Sequence, residues 1–221
     1  MDTLAGRPAG RPVQLVVGIA DVIPKLVAYR LLQGLLALRE PIHVVCREDR
    51  PEVLLAQLAL HELDLVLSDA PVGPGVKVRA FSHLLGDCGV SFCASARLAR
   101  GSRRRFPRSL DGAPMLLPTE ASTLRRSLDD WFRAQGVRPS VVAEFDDSAL
   151  LNVFGQAGLG VFPVPTIVER EVTAQRGVQV VGRVRAVRER FYAISAERRL
   201  KHPALAALSP LPRWTGRRRA C

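Results

Sequence analysis

No apolar run in the 221 residues is long enough to cross a bilayer as a helix, because the longest candidates are interrupted by Gln33, Gly34 or Asp64. The opening, Met1-Asp2-Thr3-Leu4-Ala5-Gly6-Arg7, lacks the apolar core of a signal peptide, so a cytoplasmic protein without a membrane partner is expected. Cysteine is scarce: Cys46, Cys88 and Cys93 sit in apolar strand-like segments and Cys221 is terminal, which fits idle thiols in a reducing compartment and not a disulfide framework. The four histidines, His43, His61, His83 and His202, show no metal-ligand spacing. Ser91, Ser95, Ser148 and Ser195 have no G-x-S-x-G context. Gly158-Leu159-Gly160 follows a helical pattern instead of opening one, so it reads as helix termination and not as a phosphate cradle. Neither an enzyme activity nor a resident cofactor is expected.

Lysine is nearly absent, since only Lys25, Lys77 and Lys201 contribute to the 32 basic residues behind the formal net charge of +11. The arginines bunch at Arg103-Arg104-Arg105, along Arg183, Arg185, Arg188 and Arg190, at Arg198-Arg199, and at Arg217-Arg218-Arg219. Such bunching can hold phosphate without reading sequence. No recognition motif accompanies it, and a preference for Arg codons accounts for it equally well. A non-specific nucleic-acid binder therefore stands as an alternative reading.

What is present is organised around Leu15 to Leu26, L-V-V-G-I-A-D-V-I-P-K-L. An aliphatic run ended by Gly/Asp/Pro turn chemistry and followed by a helical pattern predicts a doubly buried strand opening a β-α unit. The helix expected over 25–38 is apolar around most of its circumference, and that surplus predicts a homo-oligomer contact. A strand at 42–46, a helix opened by Pro51 and a strand at 65–69 continue the repeat, which demands a parallel sheet. A strand at 86–93 and an Arg-rich loop at 97–108 lead to a second cycle: strand 114–117, helix 122–135, strand 141–145, helix 148–157 and strand 160–162. Extended segments at 178–187 and 190–195 and a short helix at 202–208 close the chain. The expected divisions are a linker at 1–12, lobe I at 13–86, lobe II at 87–189, a return to lobe I at 190–210 and a basic tail at 211–221.

Two α/β lobes joined by two crossing strands enclose a cleft, and ligands in such sheets bind at the carboxyl ends of strands. The candidate effector-binding residues are accordingly Ala20, Asp21, Val22, Thr119, Ser122, Asp146, Asp147 and Pro163. Arg125 and Arg126, near a helix N-terminus, would suit a captured anion.

The assembled pattern resembles the effector-binding domain of LysR-type transcriptional regulators over roughly residues 13–210. Gly158-Leu159-Gly160-Val161-Phe162-Pro163-Val164-Pro165 is similar to that family's G-L-G-I-x-x-x-P turn. Val17-Gly18-Ile19-Ala20-Asp21, Gly86-Asp87-Cys88-Gly89-Val90-Ser91-Phe92, Glu144-Phe145-Asp146-Asp147-Ser148-Ala149-Leu150, and Ala196-Glu197-Arg198 with His202-Pro203-Ala204 resemble the branch of sodium/proton antiporter activators. The resemblance implies a type II periplasmic-binding-protein-like α/β fold with Rossmann-like lobes and pairing through the helix 25–38. It also implies a transcriptional activator that answers sodium or salt, with DNA bound through an N-terminal winged helix-turn-helix that these residues do not include. Sodium would take hard oxygen ligands from Asp21, Asp146, Asp147 and the carbonyls near Ala20, whereas an organic anion would use the helix start at Ser122. A free-standing solute-binding module is a further alternative.

Overall fold

The computed structural model describes residues 13–38, 42–73, 79–174, 177–197 and 208. β1 (Val13–Ala20), α1 (Lys25–Leu36), β2 (Ile42–Asp49), α2 (Pro51–Ala59) and β3 (Leu65–Ser68) form the expected β-α-β-α-β repeat of the first lobe. β1 lies between β2 and β3, parallel to both, so it must be apolar on each face. Its Gly18 makes room for α2: a Cβ there would stand 2.8 Å from Leu63 Cδ1 and 3.0 Å from Leu54 Cδ2.

β4 (Phe81–Ser95) follows, then α3 (Ala96–Ser102), β5 (Pro114–Pro118), α4 (Thr123–Gln135), β6 (Ser140–Phe145), α5 (Ser148–Gln156), β7 (Phe162–Pro165), α6 (Glu169–Ala174) and β8 (Val178–Ser195). The main sheet has the order β2-β1-β3-β8-β4-β7, while β5 and β6 form a separate parallel pair. Met115 of β5 bridges to Val161, just before β7, tying that pair to the main sheet's edge. β4 and β8 run antiparallel along their whole lengths, from Phe81 opposite Ser195 to Ser95 opposite Val178, with register shifts on the way. Because they belong to both lobes, they are the crossing strands between them.

Alternation along β4 divides the interior in two. Cys93 joins the core of β1, α1, α2 and β3, whereas Val90, Phe92 and Ala94 face a second core with Leu128 and Phe132 of α4. In that second core Phe92 and Trp131 each stand 5.5–6.1 Å from Phe106, Phe132 and one another, ring centre to ring centre, at tilted or stacked angles.

Four local readings differ from the structure. The strand expected at 86–93 extends to both sides, because residues 81–85 pair with β8. The Arg-rich stretch 97–108 is largely helical, as α3 and a 3-10 turn at Arg103–Arg105. Residues 166–174, for which no element was expected, form a 3-10 turn and α6. The two terminal extended segments are one continuous strand, β8, since pairing with β4 carries the chain through the polar residues Arg188, Glu189 and Arg190. The lobe boundaries expected at 86/87 and 189/190 accordingly fall inside unbroken strands. The linker 1–12, residues 202–207 of the short helix and the tail 211–221 lie outside the described residues.

Candidate functional site

A cavity of about 290 Å³ opens between the turn after β1, the end of β3 and the second lobe's α4, α5 and β7. Its walls are mainly apolar, from Val22 and Leu26 on one side to Phe145, Leu151 and Val164 on the other, with Val168 and Val172 contributed by the unforeseen segment 166–174. A mainly apolar cleft with a few converging polar groups is the usual form of a small-molecule site.

Of the residues singled out from sequence, Val22, Thr119, Ser122, Asp146 and Pro163 line this cavity. Ala20 is buried in the core beneath it, and its carbonyl accepts the Ile23 N–H at 2.8 Å. Asp21 is half-buried and takes the Val22 N–H on Oδ1 at 2.9 Å. Burial pushes its carboxyl above the usual range, with Asp146, Asp49 and Glu52 adding to the rise against the opposing Val22 bond. Asp147 is the N-cap of α5, accepting the Ala149 N–H at 2.7 Å. Ser122 caps α4 in the same way, accepting the Arg125 N–H at 3.0 Å. Asp146 receives the Thr119 hydroxyl. These oxygens are therefore engaged locally. Among the described residues, no group of three or more His, Cys, Asp or Glu side chains is placed to hold a metal ion.

Anion capture at the start of α4 meets two obstacles. The Arg125 side chain is only 9 % exposed and is committed to Glu144 at 2.7 Å, Asp129 at 3.0 Å and the Pro118 carbonyl at 2.8 Å. Moreover, a carboxylate is already there. Asp69, at the end of β3, accepts the Thr123 hydroxyl and, at 3.4 Å, the Thr123 N–H. A first-lobe acid thus occupies the N-terminus of a second-lobe helix, where the macrodipole favours it.

The residue that sequence reasoning missed is Glu189. It lines the cavity, is 8 % exposed, and its Oε1 has no hydrogen-bond partner among the described residues. Burial, reinforced by the negative charge of Asp69, pushes its carboxyl up to about 8. Ser148 Oγ is likewise buried without a partner on the same lining. The signal was present in β8: Glu189, Phe191 and Ala193 alternate on one buried face, so Glu189 is an acid at an apolar position. On the neighbouring strand β4, burial pushes the Cys88 and Cys93 thiols up to about 12, which makes them inert packing groups.

A family model described as LysR substrate binding domain matches residues 8–209. The chain belongs to the LysR substrate-binding family. The transcriptional activator protein NhaR of Escherichia coli K12 is 37 % identical to it over 190 residues, covering 86 % of this chain and 62 % of the relative, and NhaR of Shigella flexneri matches equally. The chain thus spans less than two thirds of the length of these curated relatives. Among solved structures, Vibrio fischeri DarR in complex with DNA superposes with a TM-score of 0.68 at 18 % identity, covering 90 % of this chain and 68 % of DarR. The effector-binding domain of QuiR in complex with shikimate gives 0.66 at 13 % identity, covering 90 % and 94 %. These likenesses establish the fold, a type II periplasmic-binding-like α/β architecture with a curled sheet. The LysR relatives named are transcriptional regulators. Among the described residues, no helix is long and apolar enough to span a membrane.

Proposed function

We propose that this LysR domain is the effector-sensing part of a transcriptional activator that controls sodium/proton antiporter or related salt-response genes in the cytoplasm. The 37 % identity to NhaR carries the assignment to that branch. The interlobe cavity supplies a place for an effector, because a ligand bridging both lobes binds the closed arrangement better than the open one and so shifts the population. In this reading, DNA contact belongs to a segment outside the matched region, and subunits pair through α1. The mainly apolar lining of the cavity favours a small organic effector.

The test replaces the matching region of Escherichia coli NhaR with residues 13–208 of this chain and follows transcription from an NhaR-dependent promoter. The expected result is transcription that rises when the cells are challenged with salt or alkaline medium. A chimera that is stable and binds the promoter, yet gives the same output under every condition, would refute the sensing role.

A further inference from the structure

The lining of the cavity has a charge pattern that the sequence reading did not contain. Three acids face it, Asp69, Asp146 and Glu189, against two bases, Lys25 and Arg190. Lys25 is already paired with Glu48 outside the cavity, and Arg190 is exposed to solvent. Asp69 and Asp146 each hold a hydroxyl of the protein, on Thr123 and Thr119. Glu189 has nothing: its Oε1 is sealed from solvent and unpartnered among the described residues, and Ser148 Oγ on the same lining is also unpartnered. A buried oxygen without a donor is costly to the fold, so a guest that brings donors completes the site. An anion would meet Asp69 at the helix start and find Arg125 already bound to Glu144 and Asp129.

We propose that the cavity is the binding site of a small organic cation, an alkylammonium whose N–H groups bond the Glu189 carboxylate and Ser148 Oγ while its apolar body lies against Leu151, Val164 and Val168. An ammonium has three donors and no acceptor, which suits a lining whose three acids outnumber its two bases, one of them, Lys25, already paired. The inference rests on the effector-sensing reading and names the chemistry of that same site. The groups that bear on Glu189 are Asp69 from β3, which raises its pKa, and Cys88 opposite it on β4, a thiol that burial keeps neutral. The neighbouring Arg188 is bound to Asp87, and Arg190 is exposed. Glu189 therefore carries a proton in the empty cleft at neutral pH and gives it up to solvent as the cation enters. One positive charge arrives and one leaves, so affinity rises toward tenfold per pH unit until the empty-site carboxyl is itself ionised.

The experiment is calorimetric titration of the 221-residue protein with n-butylammonium chloride, sodium chloride and sodium butyrate at equal ionic strength and at pH 6, 7 and 8. Butylammonium alone is expected to bind, about tenfold more tightly at pH 7 than at pH 6. Glu189→Gln is expected to weaken it at least tenfold and to abolish the pH dependence. The amide keeps the side chain's shape, and a melting temperature of Glu189→Gln at or above the wild-type value at pH 8 shows that the fold is intact. Binding of butyrate but not of butylammonium overturns the proposal and leaves the sensing role standing. So does binding of sodium ion alone, or a Glu189→Gln protein that takes butylammonium as the wild type does. Absence of all three interactions also overturns it, while the sensing role is judged by the promoter output of the chimera.

Discussion

At the scale of residues, Glu189 concentrates the functional argument. Its ordinary carboxyl value is 4.5 and its folded value about 8, so the folded protein holds a proton that the unfolded chain releases between those limits. The sign follows: the stability tied to this group is whole below about pH 4.5 and is lost as pH rises through 8, at up to about 1.4 kcal/mol per pH unit. Denaturant unfolding of wild type and Glu189→Gln from pH 5 to pH 9 should thus give curves that diverge upward in favour of the amide. Curves that stay parallel would mean that Glu189 is ionised or solvated throughout. Asp69→Asn should move the midpoint of the divergence to lower pH, because the Asp69 charge is the second cause of the rise after burial. The sequence made Asp146, Thr119 and Ser122 legible, because strand ends and helix caps have recognisable residue chemistry. It concealed Glu189, because an acid between two arginines reads as surface until the partner strand is known. Asp69 escaped for a related reason, since its partner Thr123 is 54 residues away.

At the scale of elements, local chemistry predicted most boundaries. α4 begins where Ser122 caps it and ends at Gly136, whose φ of +65° only glycine adopts readily. α5 begins at the Asp147 cap in the same manner. Elements fixed by distant pairing were not legible. Nothing within residues 81–85 announces a strand, and they are one because β8 lies beside them. α6 was missed because six residues give too little periodicity, yet Glu169 locks it to the crossing strands by accepting bonds from Arg183 of β8 and Ser91 of β4. α1 is the element with an unspent surface. It buries Val27, Leu31 and Leu35 against the sheet but leaves Tyr29 62 % and Leu36 68 % exposed. If α1 is the pairing element, Leu36→Asp should shift sedimentation of the protein from an oligomer to a monomer without lowering its melting temperature by more than a few degrees. A variant that keeps the wild-type sedimentation would remove α1 from the interface.

At the scale of the whole molecule, the two lobes are joined by the paired strands β4 and β8, the shared cavity, the Asp69–Thr123 contact at its rim and the Arg30–Glu171 ion pair between α1 and α6. Continuous strands make stiff hinges, so a guest that fills the cavity or displaces the rim contact has a defined way to alter the relation of the lobes. The large positive charge has no part in the cavity, which is lined by three acids and two bases. If cavity occupancy sets the transcriptional output, filling the cavity must fix that output. The most direct measurement is the promoter output of the NhaR chimera carrying Ala149→Trp, a substitution that fills the cavity from the first turn of α5. With a folded, promoter-bound protein, the output should no longer change with salt or pH. An undiminished response would contradict it and place the sensing site elsewhere.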